Sequence, residues 1–133
     1  MVCVMLVIPV MAASSFFSKS TTKLNAFNGG TSSISTFTSG SVFGSDPTIS
    51  DIRLSLNVSR GTDPYTLYIQ SPEGTLVPFD GSTSSTSFYT DAFQGENPSG
   101  TWRVYIQNSG ISTNGNVMPV STVTITATVY YNY

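Results

Sequence analysis

Between Ile52 and Val58 every second residue is aliphatic: Ile52, Leu54, Leu56 and Val58 alternate with Arg53, Ser55 and Asn57. The same period returns in Leu67 and Ile69, in Trp102, Val104 and Ile106, and in Val123, Ile125, Ala127 and Val129. Successive side chains of a strand point to opposite faces, so a period of two describes a strand with one buried and one wet face. Between these runs stand dense turn signals, Ser71-Pro72-Glu73-Gly74 and Asn97-Pro98-Ser99-Gly100, in which proline presets φ and glycine accepts φ > 0. Outside the apolar run at the start, no window of about ten residues carries a helical period. Short alternating strands separated by Gly, Pro and Asn turns predict an all-β fold, an antiparallel β-sandwich. Its core anchors are expected to be Trp102, Val104, Ile106, Leu67, Ile69, Leu54 and Leu56.

Composition agrees with strands and narrows the chemistry. At 133 residues there is room for one core. Ser and Thr make up roughly 30% of the chain, threonine favouring strands and serine favouring turns. Charged residues are only 9%, with a formal net charge of −2, so no basic patch exists to neutralise a run of phosphates and no nucleic-acid partner is expected. A single cysteine, Cys3, excludes an intramolecular disulfide. The absence of histidine removes Ser-His-Asp and Cys-His nucleophile pairs and His-ligated zinc. No enzyme activity is expected.

Three segments follow one another. Residues 1–13 are almost wholly apolar, too short for a membrane-spanning helix of ~20 residues. Two readings stay open for them: the remnant of a secretory signal, or a buried arm strand that fills its own sandwich or joins a neighbouring subunit by strand addition. Residues 14–47 read as a polar Ser/Thr-rich arm with short strands, with Lys19 and Lys23 as a solvated edge. Residues 48–133 read as the sandwich itself. Within it residues 75–79 form a short strand placed on an edge, because Pro78 lacks a ladder N–H. Residues 88–93 read as a weak strand or bend.

Few side chains offer chemistry. Glu73 and Glu96 lie in turns, where solvated carboxylates are the rule. No cofactor is implied; calcium is the ion whose oxygen chemistry the loop acids suit, with Asp63 and Asp91 as first candidates. Asn57-Val58-Ser59 is a glycosylation sequon, and Asn57 falls on the outward side of its strand. Tyr68 and Tyr105 also fall outward, as a contact surface, a sugar platform or an ordinary cross-strand pair.

Two elements carry a family resemblance. Residues 65–75, YTLYIQSPEGT, resemble the "strand, then S-P-x-G-T" element of the P domain (P/Homo B) that stands beside the catalytic domain of subtilisin-like proprotein convertases. Residues 93–106, FQGENPSGTWRVYI, resemble that domain's later "F-x-G-E-x-x-x-G-x-W-x-L-x-V" element. The resemblance covers about residues 48–129 and implies a jelly-roll-like β-sandwich. It departs where family members often carry a histidine: here Ser59-Arg60 stands. In that family the domain stabilises or modulates an enzyme, so the resemblance implies no protease activity.

The expected function is a non-catalytic structural or assembly subunit of an extracellular, cell-surface or particle-like assembly (a filament, surface layer or virion), working by self-association or with a protein partner. Two alternatives are a secreted carbohydrate- or calcium-binding module and an accessory domain that stabilises a separate protease.

Overall fold

A computed structural model of the chain describes residues 13–27, 29–61, 63–110 and 119–133. The readings made for the first twelve residues lie outside the described residues. Among the described residues nine strands alternate with turns: β1 (Ser14–Ser20), β2 (Leu24–Ala26), β3 (Ser35–Thr38), β4 (Thr48–Gly61), β5 (Tyr65–Gln70), β6 (Leu76–Asp80), β7 (Thr86–Thr90), β8 (Thr101–Asn108) and β9 (Ser121–Asn132). They form two antiparallel sheets, one ordered β1-β9-β4-β7 with β2 also on β9, the other β3-β8-β5-β6. The fold is an all-β antiparallel sandwich, as the alternation predicts, and jelly-roll-like, as the resemblance implies.

The aliphatic positions meet between the sheets. Leu54, Leu56, Val123, Ile125 and Val129 of the five-stranded sheet are buried against Leu67, Ile69, Trp102, Val104 and Ile106 of the four-stranded one. Fully burying such a side chain contributes about 1.5–3 kcal/mol, which is why so regular a period specifies its face. Trp102 lies in an aromatic layer, stacked on Phe37 at 6.0 Å and edge-on to Phe93 at 5.5 Å. Its indole N–H donates to the Pro98 carbonyl at 3.1 Å, so the turn before the strand satisfies the one polar atom the ring buries.

Residues 14–47 differ from the expected arm. They do carry short strands, but these are built into both sheets: β1 and β2 share one edge of β9, and β3 lies on the edge of β8. Between β1 and β2 the Thr21 hydroxyl accepts the Ile125 N–H at 3.0 Å, carrying the ladder across the gap. Leu24, Ala26 and Phe37 are core residues. In so short a stretch the inward positions number two or three per strand, too few to stand out from a Ser/Thr-rich background. β6 does lie on an edge, with Pro78 exposed there. The weak strand runs earlier than expected, over β7, and residues 92–95 turn.

β4 is interrupted twice. Its register against β9 shifts between Ile49 and Asp51 and again between Val58 and Arg60. At the first bulge Ser50 is the extra residue, so Ile49 and Ile52 both point into the core while Ser50 and Asp51 stay half-exposed.

Candidate functional site

The two motif elements meet at one end of the sandwich. In the Ser71-Pro72-Glu73-Gly74 turn the Gly74 N–H donates to the Ser71 carbonyl at 2.9 Å, and Gly74 takes φ 93°, a value that favours glycine. The Ser71 hydroxyl donates to Glu96 Oε1 at 2.6 Å. Gly100 lies against Pro72, where a Cβ would come within 2.9 Å of the proline ring. Glu96 is therefore half-buried and tied to Ser71, unlike the solvated turn carboxylate expected, while Glu73 is exposed. The Glu96 carbonyl accepts the Ile49 N–H and the Gly95 N–H donates to the Ile49 carbonyl, each at 2.8 Å. The element that resembles the convertase motif thus clamps the start of β4 just ahead of the bulge. Its visible role is architectural.

The candidate acids do not converge. Asp63 is buried beyond the end of β4, and its backbone carbonyl accepts the Ser121 hydroxyl at 3.2 Å. That hydroxyl also accepts from the buried Asn108 amide at 2.8 Å, closing a polar network that anchors the turns of this end. Asp91 is exposed after β7, level with the start of β4. About ten residues of β4 separate the two, roughly 30 Å at ~3.3 Å per residue. One calcium ion cannot use both, and among the described residues no three His, Cys, Asp or Glu gather closely enough to hold a metal. The sequence suggested them because each sits in a loop, but strand length then parts them. Asn57 is exposed opposite Thr124, on the outer face of β4.

Two surfaces combine aromatic and polar groups. On the outer face of the four-stranded sheet Tyr68 pairs with Tyr105, their rings stacked at 4.8 Å and 13°. Tyr68 also pairs with Pro78, and Ile34, one step before the Ser35–Val104 pair, is 55% exposed. An apolar row therefore crosses β8, β5 and β6 and continues to Ile34 just before β3, bordered by Arg103, Gln70 and Gln107. Each tyrosine covers one face of the other, so neither lies flat as a sugar platform.

The second surface is on the outer face of the five-stranded sheet, at the end held by the motif. Phe16 of β1 pairs with Tyr130 of β9, their rings 5.8 Å apart. Together with Asp51 and Tyr89 they line an open depression of about 610 Å³. A second depression, of about 540 Å³, shares Ser50, Asp51 and Tyr89 and continues to Asp91 and Gln94. Sequence reasoning missed this groove. Its residues come from β1, β4, β7, β9 and the 91–95 turn, and the one local signal is the three-residue step from Ile49 to Ile52 in an otherwise period-two run.

No protein-family model matches the chain, and no curated protein sequence matches it. Solved structures do. A serine protease of Aeromonas sobria superposes with a TM-score of 0.56 at 15% identity over 87% of this chain, and the chain spans only 27% of that protease. A crystal structure of FLHE superposes with a TM-score of 0.55 at 16% identity, over 92% of this chain and 98% of that one. At such identities the likeness is one of fold: this chain shares its β-sandwich with both.

Proposed function

We propose that the chain is a non-catalytic β-sandwich subunit that associates with copies of itself through the outer face of its four-stranded sheet, in an extracellular, cell-surface or particle-borne assembly. The observation that carries this reading is the apolar row Ile34, Tyr105, Tyr68 and Pro78, with Leu76 (47% exposed) beside it, on a chain with only 9% charged residues. A contiguous apolar patch, half-exposed at its two tyrosines and exposed at its ends, favours protein contact over solvation on a weakly charged surface. The row is also self-complementary. A two-fold axis parallel to the strands, between β5 and β8, lays Tyr105 of one copy on Tyr68 of the other, Ile34 on Pro78 and Arg103 on Gln70. Apolar groups meet apolar groups and the guanidinium meets an amide, the condition for an isologous interface.

The absence of histidine supports a role without nucleophilic chemistry. The paired motif elements, and the likeness to a part of a serine protease, support a P-domain-like module that contributes stable structure. Light scattering after size-exclusion chromatography tests the reading, with electron microscopy for larger particles. Wild type is expected as a dimer or larger species, and the Tyr68→Ser/Tyr105→Ser double variant as a folded monomer. A wild-type chain that stays monomeric at high concentration and forms no particles overturns it.

A further inference from the structure

We infer that the groove on the five-stranded sheet, on the opposite side of the sandwich from the association face, is a binding site for a neutral polysaccharide chain. Three observations lead there. First, it exposes aromatic surface that the fold does not need: Phe16 is 61% and Tyr89 62% exposed, and neither supports the core. Second, hydrogen-bonding groups stand among the rings with capacity to spare. The Asp51 Oδ1 accepts the Ile52 N–H at 3.0 Å, and its other oxygen makes no hydrogen bond among the described residues. The carboxylate of Asp91 and the amide of Gln94 are likewise exposed without side-chain partners among the described residues. Third, the groove depends on a bulge. Ser50 is the extra residue of β4, its hydroxyl donating to the Tyr130 carbonyl at 3.2 Å, and this turns Asp51 out between Tyr130 and Tyr89. Bulges re-aim side chains in this way beside binding sites.

The ligand class follows from the lining. Two joined, open depressions suit an extended chain lying along the surface better than an enclosed small molecule. A pyranose ring offers an apolar C–H face to Tyr89 or Phe16, and hydroxyls that donate to carboxylates and both donate to and accept from an amide. Asp51 and Asp91 repel a polyanion. Arg53, paired with Tyr89 at the rim, offsets one of them, which leaves too little charge to hold a polycation. An extended proline-rich peptide would use the rings but has few donors for the two carboxylates.

Affinity electrophoresis through gels containing hydroxyethylcellulose, xylan, galactomannan or amylose tests this, with polygalacturonate and a polyproline peptide as comparison ligands. At least one neutral polysaccharide is expected to retard the protein. Tyr89→Ala and Asp51→Asn should each weaken that retention at least about tenfold with unchanged melting temperature, since the asparagine oxygen still accepts the Ile52 N–H. The Tyr68→Ser/Tyr105→Ser chain, altered on the other face, should bind as wild type, so failure of association and failure of glycan binding are separable. Retardation by none of the four neutral polymers overturns the inference. So does binding only of polygalacturonate or the peptide, retention undiminished in both groove variants, or binding lost with the opposite face.

Discussion

At the scale of single residues, Trp102 couples two jobs that the sequence shows side by side. Its ring joins Phe37 and Phe93 in the core, and its N–H holds the Pro98 carbonyl of the turn that enters β8. Trp102→Ala should therefore cost about 3–5 kcal/mol, read as a lower denaturant midpoint. Tyr65 behaves differently. It is buried, its hydroxyl makes no well-formed hydrogen bond among the described residues, and burial raises its pKa above the ordinary tyrosine value, partly opposed by the nearby Ser82 backbone. A raised folded-state pKa means the unfolded chain loses this proton first. The stability it contributes is present below about pH 10 and is lost as pH rises from there through the folded value. Tyr65→Phe should leave stability at neutral pH unchanged or slightly higher and make the alkaline fall in melting temperature shallower; an identical alkaline profile would contradict this. The burial of Tyr65 follows from its place in phase with Leu67 and Ile69. The missing partner does not, because it depends on which loop covers the ring.

Among the elements, β4 shows how a local irregularity becomes a feature of the surface. Ile49 and Ile52 both face the core because Ser50 is extra, and the Gly95 and Glu96 backbone groups hold Ile49 in place. Deleting Ser50 would remove the extra residue and leave Ile49 inward, in strict alternation with Asp51 and Ile52. The core contact the bulge preserves is tested by Ile49→Ala, which should cost about 2–5 kcal/mol, measured by urea denaturation; a variant as stable as wild type would show that Ile49 does not pack in the core. The strands β5 and β8 were readable to within a residue, since proline- and glycine-containing turns bracket alternating runs. β1, β2 and β3 were not, because strands of three to seven residues, rich in serine and threonine, acquire an inside and an outside only when β9 and β8 supply neighbours.

The whole molecule presents two chemically distinct faces. The four-stranded sheet carries the apolar row, the five-stranded sheet the aromatic and carboxylate groove, and few charges stand on either. Association through the apolar row should resist salt: raising sodium chloride to about 0.5 M screens charges but strengthens apolar burial, so the oligomer seen by light scattering should persist. Dissociation with rising salt would instead mean that ion pairs hold the copies together. Contact between copies through the proposed face would leave the groove on the other side open.

Taken alone, the sequence determined the secondary-structure type, the inward face of each long strand, the edge position of β6 and the anchoring role of Trp102. These follow from period, turn chemistry and proline's missing donor, all local properties. Tertiary structure alone decided that residues 14–47 complete both sheets, that Asp63 and Asp91 lie at opposite ends of β4, and that Phe16, Asp51, Tyr89 and Gln94 share one groove. The physical reason is that alternation states which way a side chain points and not which strand lies beside it. Ladder hydrogen bonds are the same for every sequence, so partners are chosen by how all the apolar faces close over one core, a choice no single stretch contains.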